Sequence, residues 1–215
     1  MGVKCVGALL VRNEAASGRY LQRVLDNAKQ FCDELVVLDD ASTDDTVAVC
    51  KAAGATVHER EQGGGWWGGA GRGESPARAA LWLLAAAAAG PTGWVLVQDA
   101  DMELMGITPR DFRRLLAATN VNSWAWPLYD CWDSEEQMRV DGYWQAHLAP
   151  RVWLARAFPT PGFSPSWGDR EIHSGHLPMN YVIYSGLAPP GMVWRHLGYV
   201  EKHHRLAKHK NYVRL

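Results

Sequence analysis

The chain has 215 residues, 47% of them hydrophobic and 21% charged, which is ordinary for a soluble globular protein and enough for one sizeable core. A formal net charge of −1 provides no global field toward nucleic acid or an anionic membrane. The longest apolar run, Ala79 to Ala89, is too short to span a bilayer.

In chain order, Val3 to Val11 is almost wholly apolar, as in a parallel strand buried on both faces. Leu21, Val24, Leu25, Ala28 and Phe31 then recur at helical spacing. Glu34 to Leu38 reads as a second strand. Ser42 and Thr43 offer N-caps to a helix ending near Ala53, with Gly54 as its C′ residue. Thr56 to His58 is a short third strand. Ser75-Pro76 forms an N-cap and N1 pair for a helix over Ala77 to Ala89, and Trp94 to Gln98 is the fourth strand. This alternation predicts an α/β fold with a mostly parallel sheet flanked by helices.

Beyond Asp101 the pattern changes. Thr108-Pro109 opens a helix to about Ala118, and aromatic strand-like pieces follow at Ser123 to Leu128, Gly142 to Ala149 and Val152 to Leu154. Pro159 to Gly191 is dense in Pro, Gly and Ser and reads as a long ordered loop region, a type that usually carries function. The basic run from Arg195 to Arg214 reads either as a solvated terminal helix or as a phosphate-facing segment. Cys5, Cys32, Cys50 and Cys131 have no zinc-like spacing, and the N-terminus has no signal-peptide pattern. Together these predict a reduced, cytoplasmic setting.

Three strand ends carry polar clusters: Arg12-Asn13-Glu14, Asp39-Asp40 and Asp99-Ala100-Asp101. In open α/β sheets ligands bind at the carboxyl ends of strands, so the clusters converge on one crevice. Asp99 and Asp101, one residue apart, leave their strand on the same side. Two hard oxygen donors there suit Mg²⁺ or Mn²⁺, ions that keep coordination positions open for phosphate. Two other patterns fail. Gly63 to Gly68 fits a dinucleotide glycine loop only formally, because Trp66 and Trp67 stand where a helix should open. Asp40 to Asp44 begins like a calcium loop but lacks Gly at position 6 and Glu at position 12.

Val11-Arg12-Asn13-Glu14, Asp39-Asp40-Ala41-Ser42-Thr43-Asp44-Asp45-Thr46 and Asp99-Ala100-Asp101, in that order at successive strand ends, resemble the nucleotide-sugar half of family-2 glycosyltransferases. The likeness continues more weakly through Trp194-Arg195-His196-Leu197-Gly198-Tyr199 to Arg205, Lys208 and Tyr212. It implies a single GT-A domain over 1–215, with a nucleotide-sugar half (1–105) and an acceptor half with its tail (106–215). It also implies a metal-dependent, inverting transfer from a nucleoside-diphosphate sugar, with UDP favoured. The acceptor would be a saccharide, lipid-linked, protein or modified-DNA hydroxyl.

By position, the resemblance puts Asp39 or Asp40 against the base and Val11, Arg12, Asn13 and Glu14 along the base and ribose. Arg78 and Ala100 belong to the same pocket. Asp99 faces ribose or the metal's water, Asp101 holds the metal, and His196 returns as a further ligand that tilts the choice toward manganese. Plainer roles stand beside these: Asp44 and Asp45 complement a helix dipole, Arg78 is a solvated helix arginine, and His196 is a satisfied histidine. Lys202, Arg205 and Lys208 assist the leaving diphosphate if the tail folds over it. Inversion also needs a base near the acceptor. Asp169 and then Glu171 are the expected sources, with His173 orienting the base or contacting the acceptor, although the family's common Glu-Asp pair is absent there. Residues 62–73 are expected to form a lid, and Trp144, Arg151 and Trp153 resemble an acceptor-side aromatic strand. Two other classes compete. A nucleotidyltransferase would need a glycine-rich, Lys-containing loop where Arg12-Asn13-Glu14-Ala15 stands, and a non-catalytic sugar or nucleotide binder would not need the carboxylate pair.

Overall fold

A computed structural model of the protein describes residues 2–16, 20–60, 74–168 and 175–212. Four strands, β1 (Cys5–Val11), β2 (Glu34–Asp39), β3 (Thr56–Glu59) and β4 (Trp94–Asp99), pair in parallel in the order β3-β2-β1-β4. Side chains alternate across a strand, so β1 serves two cores. Cys5, Leu9 and Val11 face one cluster together with Leu21, Val24 and Leu25 of helix α1 (Leu21–Ala28). Val6, Ala8 and Leu10 face the other. Burial on both faces is why these strands read as continuous apolar runs.

Helix α2 (Thr46–Ala52) ends at Ala53, and Gly54 follows at φ 82°, the left-handed C′ residue the sequence predicts. At the other end the expectation changes. Asp45, without a side-chain cap bond, is the N-cap, because Ser42 and Thr43 bond to Asp39 and Asn13 instead. Helix α3 (Glu74–Ala89) covers the second core with Ala77, Leu81, Trp82, Ala85 and Ala86. It includes Ser75 in its first turn, so Ser75 is not its N-cap.

A second, smaller sheet escapes the sequence reading and matters most. Strand β5 (Met102–Met105) starts directly after Asp101 and pairs with β10 (Val193–His196), which pairs on its other side with β7 (Leu128–Asp130) in a separate three-stranded sheet. Between them in the chain come α4 (Pro109–Leu116), β6 (Ser123–Trp126), β7 (Leu128–Asp130) and β8 (Arg151–Arg156). The Thr108 hydroxyl caps α4 by accepting from Asp111 N at 3.1 Å. Pro127 separates β6 from β7, so the predicted single strand over 123–128 is two strands in two different sheets. Gly142 to Ala149 forms no strand: Tyr143 N and Trp144 N donate to Asp141 in a turn, and a turn of 3₁₀ helix follows at Ala146–Leu148, closed by Leu148 N on the Gln145 carbonyl. Strands β8, β6 and β9 (Ser185–Leu187) extend the large sheet, with β8 antiparallel to β4 and β6.

The last strand, β10 (Val193–His196), pairs antiparallel with β5 and parallel with β7, and α5 (Lys202–Tyr212) follows. Trp94, Trp126, Trp153 and Trp194 are fully buried in one core cluster, with the Trp194 ring against those of Trp126 and Trp153. Each contributes about 3 kcal/mol or more of apolar burial. Among the described residues no helix is long and apolar enough to cross a membrane.

Candidate functional site

Strand register builds the site. Val11 lies opposite Asp39, Asp39 opposite Glu59, and Leu10 opposite Asp99, so the polar ends of β1, β2 and β4 share one edge. The two loops leaving β1 and β2 each contain a non-glycine residue in the left-handed region, Asn13 at φ 51° and Ala41 at φ 57°. Side chains stitch these loops together. Asn13 N donates to Ser42 Oγ (2.9 Å), and Asn13 Oδ1 accepts from Thr43 N (2.8 Å). Thr46 Oγ1, fully buried, accepts from both Glu14 N (2.8 Å) and Ala15 N (3.0 Å).

Asp44 completes the stitching by accepting from Ala16 N (2.5 Å) and Thr46 N (3.0 Å). It does more than complement a helix dipole. Burial would raise its carboxyl, but the Thr46 hydroxyl and these backbone donors outweigh that and hold it below 3.8.

Asp39 and Asp40 separate in role. Asp39 is buried and turned onto its own loop, accepting from Ser42 N (2.9 Å) and Ser42 Oγ (2.5 Å). Asp40, also buried, accepts from Arg60 (2.8 Å) and Arg12 (3.4 Å), both partly exposed. Glu14 is buried beside them.

The second half of the site comes from the small sheet. His196 lies opposite Met102 across β5 and opposite Asp130 across β7. That register brings Asp101, His196 and Asp130 into one line. His196 Nε2 is 3.2 Å from Asp101 Oδ2, and its Nδ1 makes a very short hydrogen bond with Asp130 Oδ1. Trp144 Nε1 donates to the other Asp130 oxygen at 2.5 Å. Leu197 N donates to the Asp101 carbonyl at 2.8 Å, fixing the loop after β10 on the carboxylate turn.

Electrostatics follow from this crowding. Burial would raise the Asp101 carboxyl, but the charges of His196 and Lys208 hold it far below the usual range. Burial and the Lys208 ammonium push the His196 imidazole down. The Asp101 and Asp130 carboxylates more than offset them and lift it to about 9.

Asp99 faces other partners. Arg78 Nη2 donates to Asp99 Oδ1 at 2.7 Å while Arg78 Nε donates to Glu74 at 2.8 Å, and Arg78 is only 3% exposed. Arg78 is therefore a buried bridge, not a solvated helix residue. His176 Nε2 lies 3.4 Å from both Asp99 oxygens, its ring against Trp153. Burial would raise the Asp99 carboxyl, and the charges of Arg78 and His176 hold it well below the carboxylate range.

The tail folds onto the site. Lys208 Nζ donates to Asp101 Oδ2 at 3.3 Å, lies 3.3 Å from His196 Nε2, and sits 4.4 Å over the Tyr199 ring. Arg205 donates to the carbonyls of Tyr199 (2.6 Å) and Val200 (2.8 Å), pairs with Asp133, and stacks on Trp132. Gly198 leaves the room for this. A Cβ there would come within 2.7 Å of His196 Nε2 and collide harder with Asp101 Oδ2 and Lys208 Nζ.

Val11, Arg12, Asn13, Glu14, Asp39, Asp40, Arg78, Asp99, Ala100, Asp101 and His196 thus line one edge of the two sheets. Asp169, Glu171 and His173 lie outside the described residues, as do 62–73. Trp153 is buried core, Arg151 is exposed, and Trp144 packs on Trp132 and Tyr199. Sequence reasoning missed Asp130, His176 and Arg60. Asp130 had the signal that marked Asp99, a carboxylate ending an apolar strand, but Pro127 hid that strand.

Among the described residues, no group of three or more His, Cys, Asp and Glu side chains is arranged to hold a metal. Asp101 and His196 nevertheless fit as a pair. Two donors about 2.1 Å from one ion and at right angles stand about 3 Å apart, close to the 3.2 Å separation here. The carboxylate of Asp130 on the far ring nitrogen is the usual orienting partner of a metal-bound histidine.

The model of glycosyl transferase family 2 matches residues 9–167. The uncharacterized proteins Rv3786c of Mycobacterium tuberculosis and Mb3815c of Mycobacterium bovis are each 28% identical over 207 residues, 93% of this chain and 48% of theirs. The chain thus spans about half the length of these relatives. Glucosyl-3-phosphoglycerate synthase from Mycobacterium tuberculosis, solved with Mn²⁺, UDP and glucosyl-3-phosphoglycerate, is 28% identical; the match covers 60% of this chain and 44% of that one at a TM-score of 0.40. For S. aureus TarS 1–349 with UDP, the values are 18%, 72%, 47% and 0.49. With the family model covering most of its length, the chain belongs to glycosyl transferase family 2.

Proposed function

We propose that the chain transfers a sugar from a nucleoside diphosphate, with UDP favoured, to an acceptor hydroxyl with inversion, using Mn²⁺ or Mg²⁺. The observation that carries this reading is the Asp101–His196 pair, oriented by Asp130, on the same edge as the Asp39-Asp40 loop. Asp101 and His196 would hold the cation, which when bound supplies Lewis-acid stabilisation of the departing diphosphate. With two protein ligands, its remaining positions are left for diphosphate oxygens and water.

The other residues take roles by position. Asp40 accepts from the base, with Arg12 and Arg60 pairing with its carboxylate and aiming it. Val11, Asn13, Glu14, Asp39 and Ala100 shape the base and ribose pocket through the stitched loops. Arg78 holds Asp99 toward the ribose and the metal's water, so Asp99 is a weaker ligand than Asp101. Asp169 or Glu171 takes the acceptor's proton as it attacks, and His173 orients that base. The acceptor is a saccharide, lipid-linked, protein or modified-DNA hydroxyl, and the protein works in the cytoplasm.

Donor hydrolysis tests the enzyme reading against a mere binder. The wild type should release nucleoside diphosphate from a UDP- or GDP-sugar in Mn²⁺, and Asp101→Ala should lose about 10³-fold in rate while staying folded. Full activity in Asp101→Ala would remove that residue from the mechanism.

A further inference from the structure

The Asp101–His196 pair already holds a cation, and that cation belongs to the chain. Lys208 Nζ stands 3.3 Å from Asp101 Oδ2 and 3.3 Å from His196 Nε2, which are themselves 3.2 Å apart. An ammonium there occupies the Asp101 oxygen and the position beside His196 Nε2 that a divalent ion would need, so the two exclude each other.

The placement is built. α5 is latched by Arg205 on the Tyr199 and Val200 carbonyls, on Asp133 and on the Trp132 face. Tyr199 presents its ring to the Lys208 ammonium, and Gly198 omits the Cβ that would displace it. A solvated tail lysine needs none of this. The groups facing the ammonium are Asp101, His196 and the Tyr199 ring, with Asp130 behind the imidazole.

We infer that Lys208 is a tethered counter-cation that blocks Asp101 and His196 against free divalent metal and yields them when a nucleoside diphosphate offers its phosphate oxygens to the ammonium. Metal loading is then conditional on the donor. By linkage, metal and nucleotide raise each other's affinity, and part of that coupling passes through Lys208. The inference rests on the metal reading of Asp101 and His196.

The test is calorimetric titration with Mn²⁺ alone, repeated with UDP present, on the whole chain as wild type, Lys208→Met and Lys208→Gln. Lys29→Met serves as a control with the same charge change on the exposed C-terminal end of α1, away from the site. Both Lys208 variants should bind Mn²⁺ alone about tenfold more tightly than wild type, and UDP should enhance Mn²⁺ binding less in them than in wild type. Lys29→Met should match wild type. Thermal unfolding in chelator checks that each variant is folded. Unchanged or weaker Mn²⁺ binding by both folded Lys208 variants would overturn the inference while leaving the metal reading intact. If Asp101→Asn binds Mn²⁺ as wild type does, the metal reading itself fails, and this inference with it.

Discussion

The two ends of the site are built by different physics. The nucleotide edge is held by hydrogen bonds from side chains to the backbone of its two loops: Ser42 to Asn13, Asn13 to Thr43, Thr46 to Glu14 and Ala15, and Asp44 to Ala16. Its shape is complete without any ligand, since each of these loop amides already has its partner. The metal edge is held by charge: Asp101, His196, Asp130 and Lys208 converge from four separate segments into one buried cluster. Buried charges are stable only in balance. The first edge is therefore a preformed mould, and the second is a balance that an incoming ion or phosphate must shift.

Breaking this contrast should give effects of different kind and size. The largest comes where charge is buried deepest. Arg78→Ala leaves Glu74 and Asp99 facing each other without their bridge and should cost about 3–5 kcal/mol of folding stability by chemical denaturation. A cost under 1 kcal/mol would mean that the bridge is solvated in practice.

Next is Asp130→Asn, which keeps the shape but removes the carboxylate behind His196. It should weaken Mn²⁺ binding about 10–100-fold with little change in nucleotide binding measured without metal. Equal loss of both would erase the distinction between the two edges.

The smallest effect belongs to the mould. Asp44 has its folded-state pKa depressed below 3.8, so its contribution is fully present above that value and is lost as pH falls through the lower folded pKa. Asp44→Asn should therefore cost about 1 kcal/mol near neutral pH, with the gap to wild type closing below pH 3.8. A gap independent of pH would indicate that the amide, not the charge, matters there.

Legibility in the sequence follows the same division. β1, β2 and β4 announce themselves as apolar runs because both faces are buried, and the carboxylates at their ends mark the crevice. The small sheet was not legible. β5, β7 and β10 are three or four residues each, and their meaning lies in a pairing between positions 102, 130 and 196 that no local pattern records. Asp130 and His176 act only through that long-range register and through the loop past 174. Arg78 looked like an ordinary helix residue because its burial depends on where Asp99 ends its strand. Gly142 to Ala149 misled in the opposite sense: its aromatics suggested a strand, while Asp141 turns the chain.

The central claim is that one crevice binds a nucleoside diphosphate through a metal held by Asp101 and His196. Calorimetric titration of UDP and of GDP into the wild type and Asp101→Asn, with and without Mn²⁺, tests it most directly. Tight binding of one nucleotide should require both Mn²⁺ and Asp101. Binding of neither nucleotide by the wild type in Mn²⁺, or equal binding by both proteins, would contradict the claim.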